Sequence, residues 1–211
     1  MDNCLFRVLS HKNILDEGYK YPALRLTGYG SYQNSFSEMA RGYKKAADIL
    51  AATQTDRGAN SDDSLLFPIM FSYRQAAELR LKAILMNCVT PFNRSRTLGE
   101  RGKEAAMIKT HSLSKLLMSI KTSVDAHGLS SEYYSILKDV KPYIDAFNSI
   151  DSHSLEMRYP VDTNLYAGTY QQEPTGFDIQ YTYERFQMFW IIMDNLYAQS
   201  QKDWISCRFT Y

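Results

Sequence analysis

Three short segments of the chain carry residue types whose spacing could support chemistry. The first is Arg74-Gln75-Ala76-Ala77-Glu78-Leu79-Arg80-Leu81-Lys82. Arg74, Glu78 and Lys82 stand at i, i+4 and i+8, so on a helix they share one face, and Glu78 to Lys82 is the favourable order for an i, i+4 ion pair. The flanking residues are strongly apolar. Charges buried in such a helix must pair with one another or bind something, so the row is either an internal ion pair holding helices in register or part of a ligand site. The second segment is Lys109-Thr110-His111-Ser112-Leu113. His111 falls at the start of a helical pattern. It serves there as a capping or packing residue, or as a general base whose neutral imidazole is favoured by the positive end of the helix dipole. The third segment, Asp151-Ser-His153-Ser154-Leu-Glu-Met-Arg158-Tyr159-Pro160, gathers acid, hydroxyl, imidazole and guanidinium in a turn. Asp151 and Ser154 suit internal hydrogen bonds or substrate contacts. Arg158 suits a partner for Glu78 or Asp151, or a planar fork for a phosphate.

A fourth segment, residues 94–103, is the densest local positive charge. Its Arg94, Arg96 and Arg101 are candidates for phosphate contact, and a solvated loop is the plainer alternative because Glu100 and Glu104 dilute the charge. Glycine-rich phosphate loops, an HExxH helix and a GxSxG elbow are absent from the sequence. Three cysteines, Cys4, Cys88 and Cys207, stand far apart with no CxxC pair. We therefore expect no metal centre, no disulfide framework, no cofactor, and a reducing cytoplasm as the setting.

These residues must be positioned by helices. Phe36, Met39, Tyr43, Ala47 and Leu50 predict a helix over about 35–54, and Leu66 through Cys88 predict a central helix over about 62–88, with Asp62 and Asp63 at the positive end of its dipole. Leu113, Leu116, Leu117 and Ile120 predict a third over about 111–126. Tyr133, Tyr134, Ile136, Leu137 and Val140 predict a fourth after Ser130, with Pro142 kinking it or starting a new short helix through about 149. Phe186, Phe189, Trp190, Met193, Leu196 and Tyr197 predict a last helix over about 178–200. A second stripe there, Met188, Ile191 and Ile192, is either bundle core or an oligomer face. The alternation around Tyr166, Thr169 and Tyr170 allows a short β-hairpin before that helix. Residues 1–34, punctuated by Pro22, Gly28 and Gly30, read as an extended arm packed on a body of residues 35–211.

The fold class that follows is all-α, an up-and-down bundle of about five helices. The 211 residues suit one domain of this kind, with 45% hydrophobic and 22% charged residues. Lys plus Arg is 24 and Asp plus Glu is 23. That balance excludes a global field drawing the chain onto nucleic acid or anionic lipid, so any such contact is a local patch. The longest apolar run, Phe189 to Met193, falls far short of the ~20 residues that cross a bilayer. The amino-terminal apolar stretch is too short for a signal peptide.

The ordered segments together resemble the HEPN superfamily. Its pattern looks like an R-Q-x-x-E-x-x-L-K helix, then H-x-L opening the next helix, then a turn of the form D…S…R-Y-P. Here these are Arg74-Gln75…Glu78…Leu81-Lys82, His111-Ser112-Leu113 and Asp151…Ser154…Arg158-Tyr159-Pro160, within roughly residues 62–200. The resemblance implies a helical bundle that dimerises. It implies a metal-independent ribonuclease of prokaryotic defence or toxin–antitoxin systems, or a nucleotide-binding or non-catalytic module that pairs with another protein. Active members carry Arg, four to six residues, then His. No histidine of this chain has an arginine at that spacing, and residues 178–200 contain no histidine. A rearranged site of Arg74, Glu78, His111 and Arg158 is the catalytic alternative, with Glu78 orienting an arginine, His111 as acid/base and Arg158 as phosphate ligand.

Overall fold

The computed structural model describes residues 32–89, 106–126, 131–151 and 176–209, with side chains from residue 34 to 202. Among these, five long helices form an all-α bundle without a strand: α1 (Tyr32–Arg57), α2 (Leu66–Val89), α3 (Leu113–Ala126), α4 (Ser131–Ile150) and α5 (Ile179–Phe209). Residues 1–31 of the expected arm (1–34), the arginine-rich loop and the hairpin region at 152–175 lie outside the described residues, and residues 32–34 open α1 rather than being extended chain.

α1 buries Ala40, Ala47 and Ala51 completely. These small side chains let it lie close along α2. The pair is antiparallel, as Tyr73 Oη donating to Asp48 (3.0 Å) and the Arg80 to Ser37 contact show. The break between them is local chemistry. Gly58 takes a left-handed φ of 53°, which a glycine adopts without a Cβ penalty, and a 3-10 turn follows. Asp62 then accepts from Ser64 N at 3.0 Å and donates its own N–H to Gln54 Oε1 at 2.7 Å, tying the turn back to α1. The expected start of the second helix is thus a second 3-10 turn, Asp63–Leu65, and the α-helix begins at Leu66. Pro68 sits in its first turn, where the missing N–H has no intrahelical partner to lose.

α2 is the hub. From Tyr73 to Cys88 every residue except Gln75 is buried. α1, α3 and α5 pack against it, and α4 closes the layer between α3 and α5. α5 runs parallel to α2, through Tyr73 against Phe186 (4.1 Å between rings) and Asn87 Nδ2 donating to Ser200 Oγ (2.9 Å). It runs antiparallel to α4, with Tyr143 against Phe189 at 5.1 Å. The predicted inner stripe of α5, Phe186 through Tyr197, is buried as expected, whereas Met188 (51% exposed) and Ile191 (62%) of the second stripe face outward.

α3 buries Leu113, Leu116, Ile120 and Val124, and α4 buries Tyr133, Leu137, Val140 and Ile144. Two expectations for α4 are corrected. Tyr134 is exposed, its hydroxyl bonded to Asp125 of α3. Pro142 neither breaks the helix nor starts a new one: α4 is continuous from Ser131 to Ile150. Packing of Val140 and Ile144 on either side of the proline holds it together, and Pro142 itself is exposed. Among the described residues no helix is long and apolar enough to cross a membrane.

Candidate functional site

The row of charges on α2 is folded inside the bundle. Arg74, Glu78 and Lys82 are 1%, 0% and 6% exposed. Glu78 is the centre: its Oε2 accepts from Arg74 Nη1 at 3.2 Å and its Oε1 from Lys82 Nζ at 2.7 Å. Both contacts are i, i+4 and follow from helix pitch alone. Arg74 also reaches across the bundle. Its Nη2 donates to the carbonyl of His111 at 2.9 Å, and its Nε donates to the carbonyl of Asp151 at 3.3 Å, with the Asp151 carboxylate 3.6 Å away. One guanidinium therefore clamps the chain entering α3 and the chain leaving α4.

His111 sits at the edge of this network. Thr110 Oγ1 accepts from Ser112 N at 3.2 Å, and Ser112 caps α3 by accepting from Lys115 N at 3.3 Å. That turn presents His111 Nδ1 to Glu78 Oε1 at 3.0 Å, while 55% of the histidine side chain remains exposed. Burial alone would push the Glu78 carboxyl up. The hydrogen bond and charge of Lys82, then those of His111, outweigh it and hold the carboxyl below its ordinary range. Glu78 is thus an ionised acceptor, and the Nδ1 facing it carries the hydrogen in either charge state of the ring. In the neutral imidazole, Nε2 is then the basic nitrogen. A carboxylate fixing the tautomer of a half-exposed imidazole is the arrangement general acid–base chemistry uses.

The four charges of the buried row and its neighbour balance, with Arg74 and Lys82 against Glu78 and Asp151. The structure brings together Arg74, Glu78, Lys82, His111 and Asp151. Arg158, Ser154, His153, Arg94, Arg96 and Arg101 lie outside the described residues. Arg74, with its donors committed to Glu78, His111 and Asp151, is a positioning residue. No group of three or more metal-ligating side chains occurs among the described residues.

Arg80 is a further buried cation that sequence reasoning missed. Its guanidinium bonds Ser37 of α1 and Asp194 of α5. It lies 4.0 Å from the ring centre of Tyr197 and 5.2 Å from that of Trp190. It joins three helices. Its one local signal is a cation displaced by two residues from both Glu78 and Lys82 in an otherwise apolar helix.

No protein-family model matches the chain, and no curated protein or solved structure matches it.

Proposed function

We propose that the chain is a HEPN-like, RNA- or nucleotide-directed protein of a prokaryotic defence or toxin–antitoxin-type system, working as a cytoplasmic homodimer, with His111 as its acid/base. The observation that supports this reading is the 3.0 Å contact of His111 Nδ1 with the buried Glu78 carboxylate, made by a ring that is still half open to solvent. In RNA, His111 Nε2 takes the proton of a 2′-hydroxyl. The 2′-oxygen attacks the adjacent phosphorus, and the 5′-oxygen leaves and is protonated in turn. The products are a 2′,3′-cyclic phosphate and a 5′-hydroxyl, and the step needs no metal. Arg158 supplies the charge for the phosphorane, as the resemblance implies.

The test is incubation of the purified protein with tRNA and total RNA in EDTA, beside His111→Ala and Arg158→Ala. Cleavage by the wild type that is lost in both variants, with cyclic-phosphate ends, is the expected result. A folded wild type that cuts nothing, or a His111→Ala variant that still cuts, overturns it.

A second reading is a non-catalytic module that dimerises and pairs with a partner protein. The charge balance of the buried row favours it, because Arg74, Glu78, Lys82 and Asp151 hold the helices together without needing a ligand. Co-purification of a stoichiometric partner by an RNA-inactive wild type is the outcome it predicts.

A further inference from the structure

α3 and α4 run antiparallel and are tied at both ends. Asn148 Nδ2 donates to Ser114 Oγ at 2.6 Å, and the Tyr134 hydroxyl donates to Asp125. Between the ties lies a cavity of about 410 Å³. Its floor is Leu117, Leu137 and Ile144, and Met118 and Tyr134, 63% and 43% exposed, rise from it. Three lysines border it. Lys141 is paired with Asp145 at 2.5 Å, while Lys121 and Lys138 have no ion pair among the described residues. An apolar trough therefore carries along its rim two lysines without an ion pair among the described residues, while the nearby Asp145 and Asp125 carboxylates are engaged by Lys141 and Tyr134.

We infer that this trough binds single-stranded RNA and leads it to His111, an assignment that rests on the reading of the site proposed above. Ser114, at the head of the trough, follows His111 by three residues, and the bonds of Arg74 to the carbonyls of His111 and Asp151 hold the entry to α3 beside the end of α4 at that same head. A strand lying between α3 and α4 places phosphates against Lys121 and Lys138. Its bases lie on the Tyr134 ring and Met118, where stacking is tolerant of sequence. The bond to Asp125 holds the Tyr134 ring in place before any strand arrives. An acidic peptide would also meet the two charges. Continuity with the imidazole favours a ligand that must present a phosphodiester to it.

The experiment uses the full-length chain carrying His111→Ala, so that the strand is bound and not cut. Binding of a short fluorescein-labelled single-stranded RNA is followed by anisotropy across a salt series. Lys121→Gln with Lys138→Gln is expected to weaken binding at least tenfold. The salt slope is expected to shallow by about 1.4, near 0.7 for each phosphate of a single strand that is no longer neutralised. Tyr134→Ala is expected to weaken binding about fivefold or more. Lys45→Gln, at an exposed lysine on α1, is expected to leave binding unchanged. Unaltered affinity in the double-lysine variant, or an equal loss in Lys45→Gln, overturns the assignment whether or not the wild type cuts RNA. Loss of binding in the trough variants of a protein that cuts nothing upholds the trough and removes the ribonuclease reading. Binding of an acidic peptide with no binding of RNA overturns both.

Discussion

Glu78→Gln is the most informative single change. The carboxylate is fully buried and holds Arg74, Lys82 and His111 at once. Glutamine keeps the shape but removes the charge. Arg74 and Lys82 then share only Asp151, and one buried positive charge is left uncompensated. The new amide NH2 also faces a donor, since the groups around it donate whichever way the amide is turned. Breaking one member out of a buried pair costs about 3–5 kcal/mol. At roughly 2–4 °C per kcal/mol for a chain of this size, the melting temperature should fall by about 6–20 °C. Thermal and urea unfolding measure this directly. Glu38→Gln is the control, because its pair with Arg41 is exposed (39% and 64%) and should contribute under about 1 kcal/mol. Glu78→Gln combined with Lys82→Met removes one charge of each sign and should recover part of the loss, giving a coupling energy of at least about 1 kcal/mol. A fall of less than about 2 °C in Glu78→Gln, well under the range expected for a broken buried pair, or strictly additive effects in the double variant, would refute the view that this carboxylate balances the core.

Three further outcomes are expected. Because the folded Glu78 carboxyl lies below its unfolded range, its contribution is complete above that range and fades as the pH falls through the folded value. The stability gap between wild type and Glu78→Gln should therefore persist from neutrality down to about pH 4.3 and narrow only below it, as urea titrations at stepped pH would show. Burial first, then the charge and hydrogen bond of Asp48, push the Tyr73 phenol far above its ordinary range. Tyr73→Phe should leave the ultraviolet phenolate signal near pH 11 unchanged and lower stability by about 1 kcal/mol at neutrality. That difference should be lost as the pH rises beyond about 10 toward the folded value. Phe189→Ala, at a fully buried position between Tyr143 and Phe186, should lose about 3–5 kcal/mol in urea unfolding, and Met188→Ala, facing outward one residue earlier, should stay within about 0.5 kcal/mol.

The helices are legible wherever one face is apolar and the other polar, as in α3 and the inner stripe of α5. Their ends are not. The polar run Gln201-Lys202-Asp203 interrupts the apolar period, yet α5 continues to Phe209, because helical backbone bonding does not need a buried face at every turn. Tyr134 reads as inward from its apolar neighbours. Its place on α4 instead carries it to the surface, where its hydroxyl finds Asp125. The Arg74–Glu78–Lys82 face is readable because its contacts lie within a few turns of one helix. The approach of His111 to Glu78 spans 33 residues, and the bond from Arg80 to Asp194 on α5 spans 114. Contacts of that range depend on how helices cross, which no local periodicity encodes.

The burial of α2 on nearly every side has a consequence for how the chain is made. α1 and α2 are adjacent in sequence and can pair as soon as both leave the ribosome. The surface of α2 that receives Phe186, Ser200 and their neighbours must wait for α5, which begins about 90 residues after Val89. At ordinary elongation rates that interval is on the order of 10 s. For that time the nascent chain carries an uncovered apolar seam interrupted by the Arg80 guanidinium, still open to water. That charge keeps the waiting seam hydrated, and it becomes an interior cation only when the last helix closes over it.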